Sequence, residues 1–173
     1  MLLFPTAGSA TLLPSSSPLI RGLAAGVALP SDGSYNGRFQ AQGGGGYAGT
    51  LRAPTGAIQG GYAGAYTDTG HSERTGEWGM DAETGAANQR LQDDFSFRSE
   101  HLMSVVGRQL VQAYYGKPPV YTYWNGCSTG GRQGLEMAQH FPADWDGILA
   151  GCPAIHWCGA PSEKKSVCAS VHF

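Results

Sequence analysis

Apolar and polar positions alternate at Arg38 to Gln42 (R-F-Q-A-Q), a two-residue period that predicts a strand. Upstream, residues 19–30 are apolar but broken by Arg21, Gly22 and Gly26, and predict one short strand. Ser31-Asp32-Gly33-Ser34 is turn chemistry between them. Tyr62 to Asp68 is a further strand candidate, and residues 69–92 are polar and turn-rich. Asp93-Asp94 offers an N-cap for a helix running to about Tyr115. Leu102, Val105, Val106, Gln109 and Ala113 share its predicted inner face. Gly116 is placed to end that helix, and Pro118-Pro119 prevent its continuation.

Val120 to Trp124 (V-Y-T-Y-W) has the β-branched and aromatic composition of a strand covered on both faces. A helix follows from about Gly131 to His140, with Leu135 and Ala138 expected inside. Gly147 to Gly151 predicts a short buried strand. The succession strand, helix, strand, helix, strand predicts an α/β fold on a mostly parallel sheet. Residues 1–18, rich in Ser, Pro and Thr, read as a loose lead-in. Residues 19–157 read as the domain, and 158–173 as an atypical tail.

Composition narrows the function classes. Net charge is −2, and Lys117, Lys164 and Lys165 are the only lysines. That leaves no basic stripe for nucleic acid and no attraction to an anionic membrane. No apolar run is long enough to span a bilayer, and Met1-Leu-Leu-Phe-Pro lacks the basic start and apolar core of a signal peptide. Cys127, Cys152, Cys158 and Cys168 follow no zinc spacing, so no metal site is expected, and Cys152 reads as a small buried hydrophobe. Glycine is the outlier, at 27 of 173 residues. Its clusters at 43–46, 60–64 and 126–134 suggest tight turns and close backbone approach.

Gly126-Cys127-Ser128-Thr129-Gly130 fits G-x-S-x-G. The pattern alone is weak in so glycine-rich a chain. Its placement between a predicted strand and a predicted helix is the context that the nucleophile elbow requires. There the serine hydroxyl projects above the sheet, and the free amides of the following helix favour a developing oxyanion. The competing reading is a glycine-rich turn with an incidental serine. Gly43-Gly44-Gly45-Gly46 lets backbone amides approach a ligand, and no G-K-[ST] follows to make it a phosphate loop. The Thr129 amide and one among Gly44, Gly45 and Gly46 are the candidate oxyanion donors.

The run Tyr123 to Gly134 (Y-W-N-G-C-S-T-G-G-R-Q-G) resembles the elbow of the tannase and feruloyl esterase family. Asp146 to Trp157, Asn36 to Gln40, Gly43 to Gly49 and Tyr66 to Ser72 resemble it too, in the family's order. The resemblance implies an α/β-hydrolase core with an inserted lid, and a secreted enzyme that cleaves small aromatic esters, such as gallates and ferulates. It implies acyl transfer to Ser128 within a Ser-Asp-His triad. It also implies a disulfide from Cys127 to a cysteine beside the catalytic His, and a calcium site in the lid. Those later parts lie downstream in the family, so the chain reads as an N-terminal fragment whose isolated form is inactive, with no cofactor of its own. The alternative is a non-catalytic remnant or binding module.

Local residues offer poor substitutes for the missing triad members. His71 and His101 precede the serine, against the chain order of the fold, and His140 is placed to cap a helix end. His156 sits in a structural block of the resemblance, and His172 lies in the tail. Asp144 and Asp146 read as solvated turn residues, and Asp68 with His71 as a structural pair near the glycine run.

Overall fold

A computed structural model describes the backbone of residues 5–6, 8–12, 22–49 and 52–155, with side chains from residue 22 onward. The strands are β1 (Pro5–Thr6), β2 (Gly8–Leu12), β3 (Ala25–Leu29), β4 (Arg38–Gln42), β5 (Ala63–Thr67), β6 (Tyr121–Cys127) and β7 (Gly147–Gly151). The main helices are α1 (Thr55–Gln59), α2 (Gln89–Asp93), α3 (Ser99–Tyr115) and α4 (Thr129–His140). One seven-stranded sheet runs in the order β1-β2-β3-β5-β4-β6-β7. Strands β5, β4, β6 and β7 are mutually parallel, which is the α/β core expected from the order of elements. The other side is antiparallel: β3 pairs with β5, β2 with β3, and β1 with β2. The supposedly loose lead-in therefore contributes two strands, and the sheet as a whole is mixed.

Phe39 and Ala41 of β4, Ala63 and Ala65 of β5, and Trp124 of β6 point to one face of the sheet. Met103 and Val111 of α3 and Met137 of α4 pack against them. The packing of α3 differs from the periodic expectation. Its buried residues are Ser99, Glu100, Met103, Ser104, Gly107 and Val111, whereas Gln109 and Ala113 are exposed. Gly107 decides this orientation, because a Cβ there would lie 2.5 Å from Cζ of Phe39. The helix rests on an aromatic ring through a glycine, a contact that hydrophobic periodicity does not register.

Helix starts and stops are set by local chemistry. Asp93-Asp94 is not an N-cap: the Asn88 side chain caps α2 by accepting the Leu91 amide, at 3.4 Å. Asp94 instead lies fully buried in a π-helical turn over Asp94–Arg98, where it pairs with Arg90 and Arg98. At the other end α3 stops as expected, at Gly116 with φ of 75°.

The opposite sheet face is only partly covered. Helix α1 lies over β5, so that a Cβ at Gly64 would crowd Pro54 and Ala57. Among the described residues no helix covers it over β6 and β7, where Tyr121 is 46% and Leu149 64% exposed. Among the described residues β6 is thus covered on one face rather than two, and β7 lies at the end of the strand order and is half-buried rather than the buried strand expected. No helix among the described residues is long and apolar enough to cross a membrane.

Candidate active site

Strand β6 delivers the chain to Ser128, which links it to α4 with φ 60° and ψ −119°. A residue with a Cβ adopts this region only under strain, held by its surroundings. Here the Ser128 amide donates to the Gly151 carbonyl at 3.0 Å. Its carbonyl accepts from the amides of Arg132 (3.0 Å) and Ala154 (3.2 Å). The serine is exposed at the top of the sheet, at the N-terminus of α4. The amide of Thr129, first residue of α4, has no intrahelical acceptor by helix geometry.

The glycines around Ser128 are required by backbone contact. A Cβ at Gly126 would run into the Gly130 peptide, 2.8 Å from its Cα. One at Gly130 would lie 3.0 Å from the Gly43 Cα, and one at Gly131 2.9 Å from the Pro153 Cα. Strand, helix and glycine loop therefore meet backbone to backbone, which brings residues 43–46 beside the elbow.

Within that loop the candidate donors are not equivalent. The Gly44 amide donates to Oε1 of Gln133 at 3.0 Å, and the Gly45 amide to the Ala48 carbonyl at 3.2 Å. Both amides are thus turned onto protein acceptors, which removes Gly44 and Gly45 from the set of free donors. The Gly46 amide has no protein acceptor among the described residues; Gly46 has φ of 62° and its carbonyl is held at 2.5 Å by the Thr129 hydroxyl. That bond ties the loop to the residue after the serine.

The described histidines are committed elsewhere. Nε2 of His71 meets the Thr69 hydroxyl at 3.2 Å, and its ring stacks on Trp78 at 4.1 Å. Burial pushes its pKa down to about 4. Asp68 does not pair with the His71 ring, because its Oδ1 is taken up by the amides of Ala24 and Gly70. Trp78 donates in turn to the Tyr47 carbonyl at 3.1 Å, so this aromatic cluster buttresses the far end of the glycine loop.

His101 forms an Asp-His pair with Asp144, at 2.7 Å, that sequence reading missed. It lies beyond the C-terminal end of α4, about 18 Å along the helix from Ser128 at 1.5 Å per residue. Arg108 also binds Asp144, at 2.8 Å, so this aspartate is a buried clamp between α3 and the turn after α4 rather than a solvated turn residue. Asp146 accepts the amide and hydroxyl of Thr122 and so fixes the start of β6. His140 does not cap α4 but lies 3.2 Å from Glu136. His156 and His172 fall outside the described residues.

Helix α4 buries charge on the side away from the sheet. Arg132 donates to the Phe95 and Ser96 carbonyls, at 2.9 and 3.3 Å, in the π-helical turn, where the widened spacing frees carbonyls. Its guanidinium carbon also sits 4.8 Å from the centre of the Phe95 ring. Leu135 is only half-buried and Ala138 exposed, because the inner face of α4 is built from glycines, Arg132, Gln133, Glu136 and Met137. Cys152 is exposed with φ of 42°, not a core residue. Cys127 is exposed and forms no disulfide among the described residues, and Cys158 and Cys168 lie outside them. No group of three or more His, Cys, Asp or Glu among the described residues could hold a metal ion.

The mixed sheet, the strained serine between strand and helix, and the facing glycine loop define an α/β-hydrolase architecture. The family model of tannase and feruloyl esterase matches residues 21–171, and the chain belongs to that family. It is 48% identical over 136 residues to "Probable feruloyl esterase" of Arthroderma benhamiae, covering 76% of this chain and 25% of that protein. It is 39% identical over 126 residues to feruloyl esterase B of Aspergillus niger, covering 72% and 23%. Among solved structures, feruloyl esterase B of Aspergillus oryzae superposes with a TM-score of 0.69 at 33% identity, over 85% of this chain and 27% of that one. The tannin acyl hydrolase of Aspergillus niger superposes at 0.73 and 26% identity, over 87% and 28%. The chain thus spans about a quarter of the length of these relatives.

Proposed function

We propose that this chain carries the nucleophile elbow of a secreted carboxylic ester hydrolase that cleaves aromatic esters of the gallate or ferulate kind. The observation that carries the reading is the backbone of Ser128, strained and exposed at the head of α4 with the glycine loop across from it. Ser128 Oγ attacks the ester carbonyl carbon and its proton leaves with the alcohol. Water then splits the acyl-enzyme, releases the aromatic acid and restores the hydroxyl. The oxyanion is met by the amides of Thr129 and Gly46.

The proton needs a base, and His71, His101 and His140 are each occupied away from Ser128. The family resemblance assigns that role to a histidine beyond this chain's matching blocks, with Cys127 bridged to the cysteine next to it. A cystine beside the nucleophile suits an oxidising compartment.

The test is turnover of methyl ferulate and methyl gallate by the intact protein, against a Ser128→Ala variant. Release of the aromatic acid that disappears in the variant supports the reading. A folded protein with no Ser128-dependent turnover of either ester favours the non-catalytic alternative.

A further inference from the structure

The glycine loop is tied to α4 by two side chains, Thr129 and Gln133, and the second has a buried support that the elbow motif does not explain. Gly44 is fixed through both halves of its backbone: its carbonyl accepts the Gly130 amide at 3.0 Å, and its amide donates to Gln133 Oε1 at 3.0 Å. An amide can only donate, so Gln133 must present its oxygen to Gly44 and its NH2 the other way. On that other side stands Glu100 of α3, whose Oε1 accepts from Gln133 Nε2. Both side chains are almost wholly buried, Gln133 at 1% and Glu100 at 0% exposure. The second oxygen of Glu100 has no hydrogen-bond partner among the described residues. A line of three groups, Glu100, Gln133 and Gly44, thus runs from α3 through α4 to the loop.

Resting on the esterase reading above, we infer that Gln133 is a positioning residue, held by Glu100, which sets the glycine loop so that the Gly46 amide faces the oxyanion. Gln133 touches neither Ser128 nor any reacting atom. It acts by removing the Gly44 amide from competition and by fixing the turn at which Gly46 takes its left-handed conformation. Buried polar groups are retained where each has its partner, and an apolar residue at 133 would leave both Gly44 and Glu100 unpaired. Oxyanion donors misplaced by an ångström lose about a hundredfold in rate.

Two readouts on the intact protein test this. The first is steady-state hydrolysis of an aromatic methyl ester. Gln133→Met lowers kcat by at least about tenfold with KM within about twofold. Glu100→Gln, which still offers an oxygen to Gln133, retains most of kcat, whereas Glu100→Leu shares the Gln133→Met loss. The second is amide hydrogen exchange in the 43–47 loop, which needs no catalysis. Exchange at Gly44 is slow in the parent and in Glu100→Gln, and at least about tenfold faster in Gln133→Met and Glu100→Leu.

Should Gln133→Met fail to fold, the Glu100→Leu and Glu100→Gln pair carries the comparison. Should the parent show no Ser128-dependent turnover, the esterase reading falls and the exchange data alone decide the positioning role. Unchanged exchange at Gly44 in Gln133→Met, an unchanged kcat, or a loss confined to KM overturns the inference.

Discussion

Helix α4 has two inner sides built on opposite terms. Toward the strands it shows Gly130, Gly131 and Gly134, which let Gly43, Gly151 and Trp124 come into contact with its backbone. Toward α3 and the π-helical turn it shows Arg132, Gln133 and Glu136, all buried and polar. The glycine side gains proximity by removing side chains, and its failure is steric. The polar side gains fixed geometry by pairing charge and hydrogen bonds out of water, and its failure is electrostatic. Only Met137 gives this helix a conventional apolar contact with the core. The site is therefore placed by the two mechanisms that local hydrophobicity does not report.

The difference can be broken from either side. The largest effect is expected on the polar side. Arg132→Met leaves the buried Phe95 and Ser96 carbonyls without their donor and removes a charge that favours the ionised forms of Glu100 and Glu136. Denaturant unfolding should show a loss of about 1–3 kcal/mol for each of the two stranded carbonyls. On the glycine side, Gly126→Ala forces a methyl group into the Gly130 peptide, a backbone contact that cannot rotate away. A loss of about 1–3 kcal/mol is expected there, with no dependence on pH.

Acid and base sharpen the same contrast. Burial pushes Glu100 up to about 8, against which the Arg132 charge pulls only partly. Between pH 4.5 and 8 the unfolded chain ionises this group while the fold keeps it protonated. Stability therefore falls as pH rises across that window, by at most about 1.4 kcal/mol per pH unit. His71 works in the other direction. Its folded pKa near 4 lies below that of the unfolded chain, so its contribution is full above pH 6.5 and is lost as pH falls toward 4. Melting temperature should fall with pH from 6.5 to 8 in the parent and lose that fall in Glu100→Gln; between pH 4.5 and 6.5, where the two groups oppose each other, it should rise with pH in Glu100→Gln and fall with pH in His71→Phe. Gly126→Ala should follow the parent across the whole range.

What was legible in advance follows the same division. Strand β4 at Arg38–Gln42, the end of α3 at Gly116, and the strand-turn-helix setting of Ser128 rest on neighbours in sequence, and local pattern found them. Contacts across the chain left no such mark. The inner face of α3 turns on Gly107 meeting Phe39, and the capping role of Asp94 was displaced by an ion pair inside a π-helical turn. The engagement of the Gly44 amide depends on Gln133, 89 residues away. The pairing of His101 with Asp144 spans 43 residues and could be read only from the fold. A glycine run showed where backbone would come close, but not which of its amides would be left free.

The measurement that bears most directly on the account is the site of covalent attack by a fluorophosphonate on the intact, folded protein, mapped by peptide mass. The account predicts a single adduct per chain, on the peptide containing Ser128, and none in Ser128→Ala. An adduct on another residue, or a folded protein that takes up no probe, would contradict the assignment of Ser128 as the nucleophile.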